Sequence, residues 1–199
     1  MFSLLLVMGC LRPPESELTH QLDREIIALR QRNALLKDAA ENCDQQDVVP
    51  EVFTQLRQVF ATEEVTVERQ GLFTRVVIPG SLLFSPGSVQ VRAEAMMVLD
   101  LLSTAINLHA DQHVWVIGHT DATPINRSLS RYYRTNWELS SARANSIMYV
   151  LVDQFSVTEN RFTIAGRGDS APLGANDTPA GREQNRRVEV VIGPADHAW

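Results

Sequence analysis

The residues best placed to do chemistry fall in two blocks, Gly118-His119-Thr120-Asp121 and Asn136-Trp137-Glu138-Leu139-Ser140-Ser141-Ala142-Arg143-Ala144. Asp121 follows an alternating apolar run, so its carboxylate sits at a strand end and points into a loop. Arg143 lies one or two turns into a helix. Two opposite charges fixed this way either pair with each other as a structural ion pair or grip a ligand bearing the opposite charges, and arginine's planar fork suits a carboxylate. His119 invites a catalytic reading, but no Ser or Cys stands at a recognisable motif spacing, which favours a packing and hydrogen-bonding role. The five histidines are scattered, and the only cysteines, Cys10 and Cys43, lack zinc spacing. No metal, no cofactor and no enzymatic activity are therefore expected. Arg182, Arg186 and Arg187 gather late in a chain of net charge −6. They form either a local anion site or a solvated strand edge, and no nucleic-acid face.

The elements that must position these residues can be read from periodicity. Val65, Val67 and Arg69 begin an alternating strand. Gln70-Gly71 turns, and Phe73 to Ile78 continue as a second strand ended by Pro79-Gly80. Ser88 is a candidate N-cap for a helix to about His109, with Val91, Ala95, Val98, Leu99, Leu102 and Ile106 inward. Val114 to Gly118 is a strand, Trp137 to Phe155 a helix with Leu139, Ala142, Ile147, Val150 and Leu151 inward, and Phe162 to Ala165 and Val188 to Ile192 are strands. The order strand pair, helix, strand, helix, strand, strand implies an α/β (α+β) fold, a mixed sheet with helices on one face. With 44% apolar and 21% charged residues, the chain has enough core-forming material for one such domain plus an extension.

That extension lies at the N-terminal end. Pro13-Pro14 marks a spacer, and Ser16 to Asn42 is helical in pattern. Leu22, Leu29, Leu36 and Cys43 recur every seven residues, with Thr19, Ile26, Asn33 and Ala40 between them. The stripe is either a short coiled coil, in which Asn33 favours a parallel homodimer through residues 18–43, or one face of a helix packed on the globular domain. In the coiled coil, Cys43 meets its twin and can form an interchain disulfide in an oxidising compartment. Asp44 to Pro50 is a linker, and Val52 to Phe60 has helical spacing.

The two opening blocks, together with Asn185-Arg186-Arg187-Val188-Glu189, resemble in order and spacing the OmpA C-terminal domain family, which includes the Pal lipoproteins and the stator protein MotB. Phe84-Ser85-Pro86-Gly87-Ser88 matches that family's loop before its first long helix, and Gly166-Arg167-Gly168, Pro172, Asn176 and Gly181-Arg182 match the loop before its last strand. The resemblance implies a βαβαββ domain that binds peptidoglycan without turnover, through the diaminopimelate of the stem peptide. It implies that Asp121 takes the ligand's ammonium, Arg143 its carboxylate, and Asn136 orients the ligand or the loop. Thr120 belongs to the expected ligand-binding set and stabilises the turn, Arg186 lines the site, Arg187 points outward, backbone N–H groups near Phe84 and Ser85 contribute, and Trp137 and Leu139 are core. The Arg/Tyr-rich segment Asn126 to Thr135 either contacts glycan or is a solvated loop. Thr123-Pro124-Ile125 and the Asn-Trp-Glu-Leu-Ser block resemble MotB-type members more than Pal.

The N-terminus resembles the end of a bacterial lipoprotein signal peptide. Val7-Met8-Gly9-Cys10 either fits the lipobox in part, with Cys10 as the acylated residue, or is a short apolar N-terminus with a free thiol. Met8 is bulkier than usual, and no Lys or Arg precedes Arg12. Leu11 after the cysteine implies an outer-membrane lipoprotein facing the periplasm. The expected organisation is a signal segment 1–10, a spacer and helical segment 11–50, the peptidoglycan-binding domain 51–194 and a tail 195–199. The expected function is a tether from the outer membrane or an envelope complex to the cell wall. The alternative is the wall-anchoring component of a flagellar motor or secretion machine. A stator proper would carry a membrane span with a proton-bearing Asp, and no run after residue 11 is long and apolar enough.

Overall fold

The computed structural model describes residues 15–45, 50–61, 64–127 and 129–195. The signal segment with Cys10, most of the tail and the side chain of Cys43 lie outside the described residues. Two compact units divide between Val48 and Val49. The first contains α1 (Glu15–Gln45), 31 residues long. Its apolar side chains Leu22, Ile26, Ile27, Leu29 and Leu35 are exposed. No helix among the described residues is long and apolar enough to cross a membrane.

The second unit runs α2 (Glu51–Val59), β1 (Thr66–Gln70), β2 (Phe73–Pro79), α3 (Gly80–Leu83), α4 (Met96–Leu108), β3 (Gln112–Gly118), α5 (Asn136–Asp153), β4 (Phe162–Gly166), α6 (Pro179–Asn185) and β5 (Arg187–Pro194). The sheet order is β1-β2-β5-β3-β4. The β3–β4 pair, joined through α5, is parallel, and the other pairs are antiparallel. Alternate residues point to one face: Val76 and Ile78, Val114 and Val116, Val188, Val190 and Ile192. They meet Leu56 of α2, Leu99, Leu102 and Ile106 of α4, and Ile147 and Leu151 of α5 in one buried cluster. Burial of this apolar surface is the dominant force holding the layers together.

The other face is polar in the middle. Arg75 pairs with Glu68 at 2.5 Å and with Glu189 at 3.4 Å, and Arg187 reaches Glu189 at 2.6 Å. Arg187, expected to point outward, is thus buried: the long side chains cover one another, so this β5 face is shielded as well. Two further expectations change. Ser88 does not cap a helix; its Oγ accepts the Gln90 N–H within a loop, Val91 bridges back to Phe84, and α4 begins at Met96 after a 3-10 turn at Ala93–Ala95. Gly181-Arg182 lies in α6, not in a loop, because the Thr178 hydroxyl caps the helix from the Gly181 N–H and Pro179 opens it.

Candidate functional site

The C-terminal end of β3, the N-terminal end of β5 and the start of α5 converge on one cleft. Gly118 and Gly166 are register partners at the ends of β3 and β4. A Cβ at Gly118 would meet the Ser140 carbonyl oxygen at 2.0 Å, and one at Gly166 would meet Ser141 Oγ at 2.1 Å. Only glycine lets the first turns of α5 lie so close to the sheet. Thr135 caps α5 from the Glu138 N–H, and Glu138 in return accepts the Arg134 N–H, a variant of the capping box. Ser140 Oγ accepts the Gly168 N–H, and the Gly168 carbonyl accepts the Thr120 N–H. Asn185, fully buried, accepts the Leu173 and Gly174 N–H groups and donates to Asn176, whose own oxygen accepts the Ala122 N–H. The loop after β3 is thereby tied at Thr120 and Ala122, on both sides of Asp121.

A cavity of about 160 Å³ opens here, lined among others by Thr120, Asp121, Asn136, Leu139, Arg143 and Arg186. Five of the seven residues expected to bind ligand therefore share one cavity. Phe84 and Ser85 line its neighbour, of about 410 Å³, which shares Gly87, Arg143 and Arg186 with the first. The Phe84 N–H already donates to the Gly80 carbonyl, so this amide is not available to a ligand. Asn136 orients the loop by donating to the carbonyls of Asp121 and Thr123. Trp137, expected in the core, is half-exposed, because the small-residue contact with the sheet falls on the Ser140 and Ser141 side of α5. Leu139 is buried and also lines the cavity.

Asp121 and Arg143 do not form the mutual ion pair that was one expectation. Asp121 is buried; its Oδ1 accepts the Thr123 N–H at 2.8 Å, and its Oδ2 is paired with Arg186. Burial pushes the Asp121 carboxyl up, but the bonds from Thr123 and Arg186 outweigh it and hold the group below the usual carboxylate range. Arg143 donates from Nε to the Ser88 carbonyl at 3.1 Å and lies 5.2 Å from the Phe84 ring centroid. Its two terminal nitrogens have no hydrogen-bond partner among the described residues. Burial, and then the nearby Arg186, lower its pKa against the pull of Asp121, yet an arginine remains a cation at neutral pH. The cleft thus presents a fixed carboxylate and a cation whose fork is unspent.

His119 is buried beside this site with neither ring nitrogen hydrogen-bonded among the described residues; Nε2 lies 3.5 Å from Glu189 Oε1. The ring packs, but the expected hydrogen bond is absent. Sequence reasoning also missed Glu183, whose Oε2 pairs with Arg186. The signal was available: within a helix opened by Thr178-Pro179, residues 183 and 186 are one turn apart. In the 126–135 segment, Leu129 is buried and lines the cavity, whereas Tyr132 is exposed. No group of His, Cys, Asp or Glu among the described residues could hold a metal ion.

The family model of the OmpA family matches residues 83–186, which include every residue lining the smaller cavity. Motility protein B of Bacillus subtilis is 31% identical over 66% of this chain and 48% of its own length. The probable lipoprotein YiaD of Escherichia coli is 29% identical over 70% of this chain and 60% of its own. The chain therefore spans about half to three-fifths of these relatives. The structure of the cell wall anchor of the T6SS from Pseudomonas aeruginosa is 32% identical with a TM-score of 0.64, covering 73% of this chain and 98% of that one.

Proposed function

The chain belongs to the OmpA family, and from that premise we propose that it binds peptidoglycan noncovalently and anchors an envelope structure to the cell wall. The ligand group is the zwitterionic end of diaminopimelate in the stem peptide. The observation that carries this reading is the single cavity lined by both Asp121 and Arg143, the arginine with its fork unspent. A carboxylate and a guanidinium lining one cavity match an ammonium and a carboxylate on one ligand carbon, and nothing in the arrangement activates a nucleophile. Thr120, Asn136 and Arg186 complete the walls, and Phe84 and Ser85 border the adjoining space. Acylation of Cys10 would hold the chain at the outer membrane, and residues 18–43 would pair two copies in parallel, with Cys43 linking them.

Co-sedimentation with diaminopimelate-type sacculi tests the proposal. Wild type should sediment, and Asp121→Ala or Arg143→Ala should each weaken binding by about 30-fold or more, the cost of leaving one member of a charge pair unmatched. Wild type remaining in the supernatant would overturn the function, whereas full binding by both variants would overturn only the site. A second reading is favoured by the likeness to the T6SS cell wall anchor over 98% of that chain. On it, the same grip serves a secretion or motility machine. Mass spectrometry of membrane-extracted protein separates the two, since acylated Cys10 belongs to the lipoprotein reading.

A further inference from the structure

Arg186 is shared between two carboxylates. Its Nη1 is paired with Asp121 and its Nη2 with Glu183. Asp121 is on the buried side of the guanidinium and Glu183 on the solvent side, with side chains 9% and 44% exposed. The Arg186 backbone is fixed, because its carbonyl accepts the Gly80 N–H at 2.7 Å, so only the side chain can swing. In the ligand-free cleft, Arg186 occupies the Asp121 oxygen that Thr123 leaves open. An incoming ammonium therefore competes with Arg186 for Asp121, and an arginine left in a half-buried cleft without an anion would oppose binding strongly.

We propose, resting on the diaminopimelate reading, that Glu183 is a positioning residue that takes over Arg186 when the ligand ammonium claims Asp121. The geometry supplies each part of the exchange. Glu183 sits one helical turn before Arg186 on α6 and already holds one of its two terminal nitrogens. Moving the guanidinium outward keeps it paired while it leaves Asp121. The charge count also closes: Asp121 and Glu183 balance Arg143 and Arg186 before binding, and a zwitterion leaves that balance unchanged. A ligand with an ammonium alone would add a positive charge beside two arginines with no carboxylate to offset it.

The test is calorimetric titration of the full chain with the tripeptide L-Ala-γ-D-Glu-meso-diaminopimelate. Glu183→Gln confines Arg186 to Asp121 and should weaken binding roughly ten-fold, the scale of one charge-assisted hydrogen bond. The Glu183 side chain is 44% exposed and Gln keeps its shape, so the variant should fold. A purely structural or long-range role would give the same loss in any background, so the deciding measurement is made in Arg186→Gln. There, Glu183→Gln should change affinity less than about two-fold, because sites that act through one another are not additive. Arg186→Lys is the second background should Arg186→Gln not fold; a single ammonium spans the two carboxylates poorly, and the Glu183→Gln loss should again shrink. Glu183→Gln binding like wild type, or losing its full ten-fold in both backgrounds, overturns the proposal alone. Failure of wild type to bind the tripeptide overturns the diaminopimelate reading and this proposal with it.

Discussion

His119 belongs to the Gly118–Asp121 block without lining the cleft. It is buried against Arg187, Glu189, Arg167 and Arg75, and burial first, then the arginines, push its imidazole down to about 4. A base whose folded pKa is depressed binds its proton more weakly when folded than when unfolded. Between the unfolded value near 6.5 and the folded value near 4, the unfolded chain therefore holds more protons, and stability falls as pH falls through that window. The loss is on the order of 3 kcal/mol. Asp121, held below the usual carboxylate range, contributes stability that disappears only at lower pH. Urea midpoints at pH 7 and pH 4.5 should thus differ clearly in wild type, and His119→Gln should narrow the gap; an unchanged gap would show that His119 carries none of it. At this scale the sequence disclosed Asp121, Arg143 and Asn136 through their blocks. It did not disclose that Asp121 pairs with Arg186 instead of Arg143, because a contact across 65 positions depends on how β5 and β3 register.

Elements set the distances between those side chains. The α5 helix was legible from its apolar spacing and the five strands from alternation, whereas the Thr135 cap that fixes where α5 begins was not read. The α6 helix was hidden by Pro179 and Gly181, which read as loop residues unless Pro179 is taken as a first helical position. Gly181 is there because a Cβ would meet the Ala175 carbonyl oxygen at 2.1 Å. The close approach of α5 to the sheet at Gly118 is the contact on which the Arg143 position depends. Gly118→Ala would force α5 outward from a backbone contact of 2.0 Å. It should cost about 3 kcal/mol or more, at or above the usual range for overpacking, and should weaken tripeptide binding in whatever fraction folds. Thr135→Ala removes only the cap and should cost about 1 kcal/mol with binding nearly intact. Thermal melts paired with titrations distinguish these outcomes, and normal affinity in a folded Gly118→Ala protein would refute the positional role.

For the whole molecule, the question is what the 31-residue α1 adds to a domain that already contains the entire cleft. A helix of that length extends roughly 45 Å, at 1.5 Å per residue. Leu22, Ile26 and Leu29 lie on the heptad stripe and are 50%, 42% and 55% exposed. Pairing two such stripes would carry two clefts on one stem. A sacculus is a dense array of identical stem peptides, so once one cleft binds, the second meets its ligand at an effective concentration near millimolar. The doubled grip can exceed either site by on the order of a hundred-fold without any new contact. Leu22→Glu with Leu29→Glu in the full chain places charges on the stripe and should give monomers by sedimentation velocity. The affinity for free tripeptide should stay at the wild-type value, because the cleft is untouched, while retention on sacculi falls about a hundred-fold. Wild type sedimenting as a monomer, or sacculus retention surviving the double substitution, would remove the pairing and leave each domain to hold the wall with a single cleft.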